Sequence, residues 1–369
     1  MRLLTLTLEH FRNYTAQTVD FSPDPIHLFV GENGSGKTNL LESIGLLSLT
    51  KSCRDKDEQD MVQWTHPFYR VRADLQSDAG ERLCMEIVSE LAPRKRKAYF
   101  LNDVRTPVGG VPGRFPTVIF LPEDMTLFSG PPSERRRWLD QFLCQLSSVY
   151  FQDLSEYHKV LQQRNALLKR IKAGEEELSM LAVWDGELAV RAARITLARL
   201  ELISALNLTF GAEVRRLGET WRAPVLHYER RTSAQTESAL EQEYRTLLTQ
   251  HQERDVILET TSIGPHREDW QVVCDERELS TFASRGQERT AILALLMLQV
   301  SYLELRRGEK PVILLDDAFS ELDDTHQRAL LGACREHQVI MTAVRVPPGE
   351  VHAELHTLPM QAHLQHHRA

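Results

Sequence analysis

Apolar positions change their period along the chain, and each change marks a different kind of element. Leu4, Leu6 and Leu8 alternate with Thr5 and Thr7, the two-residue period of a half-buried strand. Ile26-His27-Leu28-Phe29-Val30 is a short apolar run with β-branched ends that reads as a buried strand. Beyond it Leu40, Leu41, Ile44 and Leu47 recur at helical spacing. Alternation returns through Tyr69, Val71 and Ala73, then through Leu83, Met85 and Ile87. Tyr99-Phe100-Leu101 closes that set, with Asn102-Asp103 as a turn. Thr117 to Leu121 is another buried strand.

From Ser133 to about Gln250 the pattern is largely helical, with Pro131 and Pro132 placed just before it starts. Leu181, Trp184, Leu188, Ala192, Ile195, Leu202 and Leu206 make an apolar stripe interrupted only by Arg199, the mark of a core-facing helix. The closing third returns to strands at Trp270 to Cys274, Pro311 to Leu315 and Val339 to Thr342. A long apolar helix from Thr290 to Leu305 lies among them. The pattern predicts an α/β protein: a mixed sheet built from both chain ends around the Leu40 helix, and a helical lobe inserted between them. The expected division is 1–125 with 259–369 for the sheet lobe and 126–258 for the helical lobe.

Composition changes this picture little. The 369 residues hold 44 basic and 52 acidic side chains, a net charge of -8, so any nucleic-acid contact must come from a local patch. Five scattered cysteines without a C-x-x-C pair argue for a reducing compartment and against zinc or a disulfide framework. No apolar run approaches the length of a membrane span, and Met1 to Thr5 begins a strand, so a soluble, cytoplasmic chain is expected.

Chemistry enters at Gly31-Glu32-Asn33-Gly34-Ser35-Gly36-Lys37-Thr38, which fits the phosphate-loop pattern G-x-x-x-x-G-K-[ST] between a strand and a helix. Glycines let backbone N–H groups curl round an anion, and the helix N-terminus adds partial positive charge. Lys37 reaches the β- and γ-phosphates in such a loop, and the Thr38 hydroxyl joins the Mg²⁺ shell. Asp316 and Asp317 end an apolar strand, where a P-loop protein anchors its Mg²⁺. Ser284 to Gln287 is a second glycine-containing helix start. Arg12 or Asn13, one hairpin from the loop, is a further candidate for phosphate. Arg94-Lys95-Arg96-Lys97 reads either as a solvated hairpin tip or as a phosphate-backbone contact in DNA. Gly264-Pro265-His266-Arg267 is a turn with no nucleophile or metal partner nearby in sequence. The histidines of the tail, His363, His366 and His367, sit in a polar stretch.

Taken in order, the phosphate loop, Ser284-Arg285-Gly286-Gln287, Leu314-Leu315-Asp316-Asp317 and Ser320-Glu321-Leu322-Asp323 resemble the ATP-binding-cassette ATPase head family. More narrowly, Phe11-Arg12-Asn13-Tyr14, Pro122-Glu123-Asp124, Gly130-Pro131, Arg135-Arg136, Gly264-Pro265-His266-Arg267 and Ser284 to Gln287 resemble the RecF family of bacterial recombinational repair ATPases. The likeness spans nearly the whole chain. It implies ATP contacts from Gly31 through Asn39, with Arg12 and Asn13 beside them, and Mg²⁺ held by Thr38 and Asp316. It makes Asp317 and Lys37 the catalytic pair. Ser284, Arg285, Gly286 and Gln287 become a signature offered in trans to a second copy, with Ser320 and Asp323 as the D-loop. The implied activity is weak, DNA-dependent ATP hydrolysis by an ATP-driven homodimer at single-strand gaps and double-strand/single-strand junctions. The implied partners are RecO and RecR, with RecA loaded downstream in place of single-strand-binding protein. Asp317 stands where many transporters carry Glu, and Thr342-Ala343 where they carry His, which points to slow turnover. The energising subunit of a membrane transporter is the alternative, disfavoured by that missing histidine and by the size of the helical insertion. An SMC-like tether would need a long heptad coiled coil or a C-x-x-C hook.

Overall fold

Strand pairing and helix packing divide the chain into two units, Met1–Met125 with Arg289–Ala369, and Thr126–Glu288. The computed structural model describes residues 1–54, 58–92, 94–318, 322, 324–345 and 354–357.

The first unit carries two sheets. One is antiparallel, in the order β2 (Tyr14–Asp20), β1 (Arg2–Phe11), β4 (Phe68–Gln76), β5 (Arg82–Glu90), β6 (Arg96–Leu101), β7 (Val104–Thr106). All neighbours in it are antiparallel, and β4 shows the alternation of a sheet with one buried face: Tyr69, Val71, Ala73 and Leu75 are buried, whereas Arg70 is exposed. The other sheet is parallel, in the order β14 (Glu354–Thr357), β3 (Ile26–Val30), β13 (Val339–Ala343), β12 (Val312–Leu315), β8 (Thr117–Phe120). Every residue of β12 and β13 is buried, as expected of parallel strands covered on both faces. Helix α1 (Lys37–Leu49) follows the phosphate loop. Its Leu40, Leu41, Ile44, Leu46 and Leu47 share one apolar core with Leu6, Leu8, Val71 and Ile87 of the antiparallel sheet and Val312, Leu314 and Ile340 of the parallel one. The mixed strand content expected around this helix is thus shared out between two sheets.

The second unit is mainly helical: α2 (Pro132–Leu146), α3 (Ser148–Lys172), α4 (Leu181–Asn207), α5 (Phe210–Arg216), α6 (Glu237–Gln250) and α7 (Gln252–Leu258). It also holds a small antiparallel sheet, β11 (Arg277–Glu278), β10 (Asp269–Cys274), β9 (Val225–Glu229), followed by α8 (Leu279–Phe282). This corrects the expected boundary at residue 258. Trp270 pairs with Tyr228 across β10 and β9, and Asp269 forms a two-pronged ion pair with Arg135 of α2, so residues 259–288 belong with the helices. Arg199, the break in the α4 stripe, is 2% exposed and bonds Asp140, the Tyr150 and Tyr228 hydroxyls and the Pro265 carbonyl. A buried guanidinium is tolerable when its donors are taken up in this way. Helix α9 (Arg285–Arg307) leaves this unit, and α10 (Asp324–Cys334) lies in the first.

Candidate nucleoside triphosphate site

The loop between β3 and α1 has the local geometry its glycines call for. Gly36 stands at the start of α1 with φ of 102°, and a Cβ there would lie 2.3 Å from the Asn13 side-chain nitrogen. Asn13 approaches so closely because it braces the loop: its Nδ2 donates to the Ser35 carbonyl at 3.3 Å and its Oδ1 accepts from Asn39 at 2.9 Å. The Tyr14 hydroxyl donates to the Gly36 carbonyl at 3.0 Å. The first turn of α1 has neither an acidic residue nor a side-chain cap, so its N–H groups are left for an anion.

Lys37 is only 7% exposed, and its Nζ donates to the carbonyls of Gly31 at 2.6 Å and Glu32 at 2.9 Å. The loop is therefore wrapped around the Lys37 ammonium. The Thr38 hydroxyl donates to Asp316 Oδ2 at 2.7 Å, and the Thr342 hydroxyl donates to Asp316 Oδ1 at 2.6 Å. Thr342 Oγ1 also accepts the Asp317 N–H at 3.0 Å, where the chain turns with Asp317 at φ of 47°. Thr342, singled out in the sequence only as the residue standing where a histidine was missing, thus positions both carboxylate residues. No sequence spacing reveals this; it depends on β12 and β13 lying side by side in register.

Thr38 and Asp316 form a pair of hard oxygen donors that suits Mg²⁺. Among the described residues no group of three or more His, Cys, Asp or Glu could hold a metal, so phosphate and water oxygens would complete the shell.

Other residues singled out in the sequence make bonds within the chain. Arg12 spends its guanidinium on Glu42, with Nε and Nη2 at 2.9 and 2.8 Å from the two carboxylate oxygens and Nη1 on the Asp60 carbonyl. Glu42 is fully buried in α1, and such a carboxylate needs its cation. The Arg94–Lys97 cluster is split. Arg94, Lys95 and Arg96 are exposed, but the strand alternation turns Lys97 inward, and its Nζ donates to the Thr50 carbonyl at the C-terminal end of α1. Ser284 and Gln287 form a reciprocal cap at the start of α9: the Ser284 N–H donates to Gln287 Oε1, and the Gln287 N–H to Ser284 Oγ. Ser284, Arg285 and Gly286 are exposed there. Ser320 and Asp323, the expected D-loop, lie outside the described residues, as do His363, His366 and His367.

In the second unit, His266 Nδ1 lies 2.5 Å from the Tyr157 hydroxyl and Nε2 lies 3.0 Å from the Thr261 carbonyl. Since a carbonyl only accepts, Nε2 carries the proton and Nδ1 accepts from Tyr157. Burial pushes the His266 imidazole down to about 3, so it stays neutral.

Residues 2–363 match the family described as RecF/RecN/SMC N terminal domain. The DNA replication and repair protein RecF of Heliobacterium modesticaldum is 35% identical over 333 residues, 90% of this chain and 88% of that protein. The protein of the same name from Geobacillus thermodenitrificans is 32% identical over 352 residues, covering 91% and 90%. The chain belongs to the RecF family. A solved structure described as the recombination mediator protein RecF-ATPrS in the RecFOR pathway has a TM-score of 0.88 at 29% identity, over 97% of this chain and 96% of that one. An Smc head bound to the C-winged helix domain of ScpA shares the fold, with a TM-score of 0.50 at 14% identity over 93% and 89%. The α/β ATPase-head architecture expected from the motifs is therefore that of the RecF family.

Proposed function

We propose that this RecF-family chain is an ATP-gated DNA-binding protein of recombinational repair. It joins into a dimer when ATP is bound, settles at single-strand gaps and gap edges, and with RecO and RecR helps RecA replace single-strand-binding protein. The observation that carries the reading is the Thr38–Asp316–Thr342 chain of hydrogen bonds beside the Lys37 loop. It suits a triphosphate, and its two halves come from opposite ends of the sequence. The names of the relatives support the repair setting, and the RecFOR description supports the partners.

In this reading Lys37 and the loop N–H groups hold the β- and γ-phosphates. Thr38 and Asp316 hold Mg²⁺, which supplies charge neutralisation on the phosphates when bound. Asp317 orients the attacking water and takes its proton, while Ser284 and Gly286 close on the γ-phosphate held by a second copy. Asp317 carries a shorter side chain than glutamate and has Thr342 beside it instead of histidine, so hydrolysis is slow and ATP acts mainly as a joint between subunits.

Sedimentation with and without ATP and a gapped duplex tests this. Monomers alone, dimers with ATP, and co-sedimentation of dimer with DNA are expected. Asp317→Asn keeps the size and loses the basicity, so it should slow hydrolysis roughly 10²-fold or more and lengthen residence on DNA. A protein that stays monomeric in saturating ATP, or binds the duplex equally without it, would falsify the gating.

A further inference from the structure

The Gly264-Pro265-His266-Arg267 turn has no part in the triphosphate chemistry, yet the structure spends much on holding it. Gly264 takes φ of 133°, and a Cβ there would meet the Tyr157 hydroxyl at 2.3 Å. His266 is pinned on both ring nitrogens, and the Pro265 carbonyl accepts from buried Arg199 at 2.8 Å. What all this fixes is the next residue. Arg267 is exposed, with Nε on the Thr261 carbonyl at 3.1 Å and Nη2 on the Thr260 hydroxyl at 3.0 Å. Among the described residues its Nη1 has no hydrogen-bond partner.

Arg267 borders an open cleft of about 240 Å³ wholly within the second unit, which Arg230 and Arg231 approach from the segment after β9. The hydrogen bonds of these arginines go to neutral groups: Arg230 to the Ala234 and Ser233 carbonyls and the Thr232 hydroxyl, and Arg231 to His251. Three acidic residues also line the cleft, but two are spent elsewhere. Asp269 is bound to Arg135, and Glu268 accepts the hydroxyls of Thr196, Tyr228 and Tyr244. Glu243, whose carboxylate feels Arg230, is held by the Ser233 and Ala234 amides. Glu229 alone remains, bonded to Gln271. The Ser262 hydroxyl lies in the lining, shielded from solvent and without a hydrogen-bond partner. Cations therefore exceed available carboxylates, and an unused hydroxyl donor sits among them.

We propose that this cleft holds a phosphodiester group of DNA, with Arg231 and Arg267 as its charged contacts and Ser262 as a hydroxyl donor. Arginines arriving from two separate segments suit a tetrahedral anion, whose oxygens point in several directions, better than the flat carboxylate of an acidic peptide. The proposal rests on the DNA-binding reading above, and places a contact on the second unit, apart from Arg94, Lys95 and Arg96.

The test uses the full chain with ATP and a fluorescent gapped duplex, with affinity followed by anisotropy over a series of salt concentrations. Each of Arg231→Gln and Arg267→Gln should make the slope of log affinity against log salt shallower by about 0.9, and the double variant by the sum, with ATP affinity unchanged. Arg231 is exposed and makes only a 3.4 Å contact to His251, so its variant decides the matter even if Arg267→Gln loosens the turn. Wild type that binds DNA with variants of unchanged slope overturns the cleft and leaves the function standing. Wild type that never binds DNA overturns both. Variants that lose a labelled aspartate-rich peptide while keeping the DNA slope make the cleft a peptide site and overturn the proposal.

Discussion

One threonine hydroxyl governs both carboxylate residues of the triphosphate site. The Thr342 hydroxyl donates a hydrogen bond to Asp316 and its Oγ1 accepts the N–H of Asp317, so it fixes the Asp316 carboxylate and the turn that carries Asp317. Thr342→Val keeps the shape and removes both bonds. A hydrogen bond to a charged group contributes about 1.5–3 kcal/mol, and loss of that order is expected in urea unfolding of the variant. ATP affinity measured with Mg²⁺ should fall, whereas Thr342→Ser should restore both. Equal ATP affinity in Thr342→Val would remove the threonine from the site. Much of the residue-scale chemistry is legible in sequence because it is local: four residues separate Gly31 from Gly36, and Asp316 simply ends its strand. Thr342, Glu42 and the inward turn of Lys97 are not legible, since each depends on which distant strand or helix lies alongside.

Helix starts carry the chemistry at the scale of elements. Helix α1 begins bare, with its N–H groups left open, and Lys97 closes its other end at the Thr50 carbonyl. Helix α9 begins capped by its own Ser284 and Gln287. Ser284 thus has a structural duty besides the proposed contact with a neighbour's γ-phosphate, and two substitutions separate them. Ser284→Ala removes the cap and should lower stability by about 1 kcal/mol. Ser284→Asp keeps a capping oxygen and should hold stability near wild type, yet it sets a negative charge where a phosphate must close, so ATP should no longer produce dimers in sedimentation. An aspartate variant that still dimerises with ATP leaves Ser284 as a cap and nothing more. The S-x-x-Q spacing of this cap is visible in the sequence. The pairing of β10 with β9 is not, because β9 is five residues long, follows Pro224 closely, and shows only Leu226 and Tyr228 as buried positions. That short strand is why the sequence pattern puts the end of the second unit at 258 and the structure at Glu288.

The molecule as a whole should answer to acid through His266. Its folded value lies near 3 and an unfolded histidine titrates near 6.5, so between these limits the unfolded chain binds a proton that the folded one refuses. This contribution to stability is fully present above about pH 6.5 and is lost progressively as pH falls toward 3, at up to about 1.4 kcal/mol per pH unit. Four of the five tryptophans, Trp138, Trp184, Trp221 and Trp270, lie in the second unit, so their fluorescence follows its unfolding. Urea midpoints of wild type should fall more steeply from pH 6 to pH 4.5 than those of His266→Asn. Parallel slopes would mean that His266 is protonated in the folded protein. The order of strands in the parallel sheet has a consequence for synthesis. Among the described residues the sheet neighbours of β3 are β13 and β14 and that of β8 is β12, so neither early strand can pair until the last sixth of the chain has been made. From the end of β8 to the start of β12 the ribosome must add roughly 190 residues, which at about 5–20 residues per second takes some 10–40 s. During that wait two apolar strands stand with bare edges, and before it ends the inserted second unit has all its own strands and helices. The insertion is therefore free to fold before its host, whose bare strand edges are the part of the nascent chain left exposed to wrong pairing.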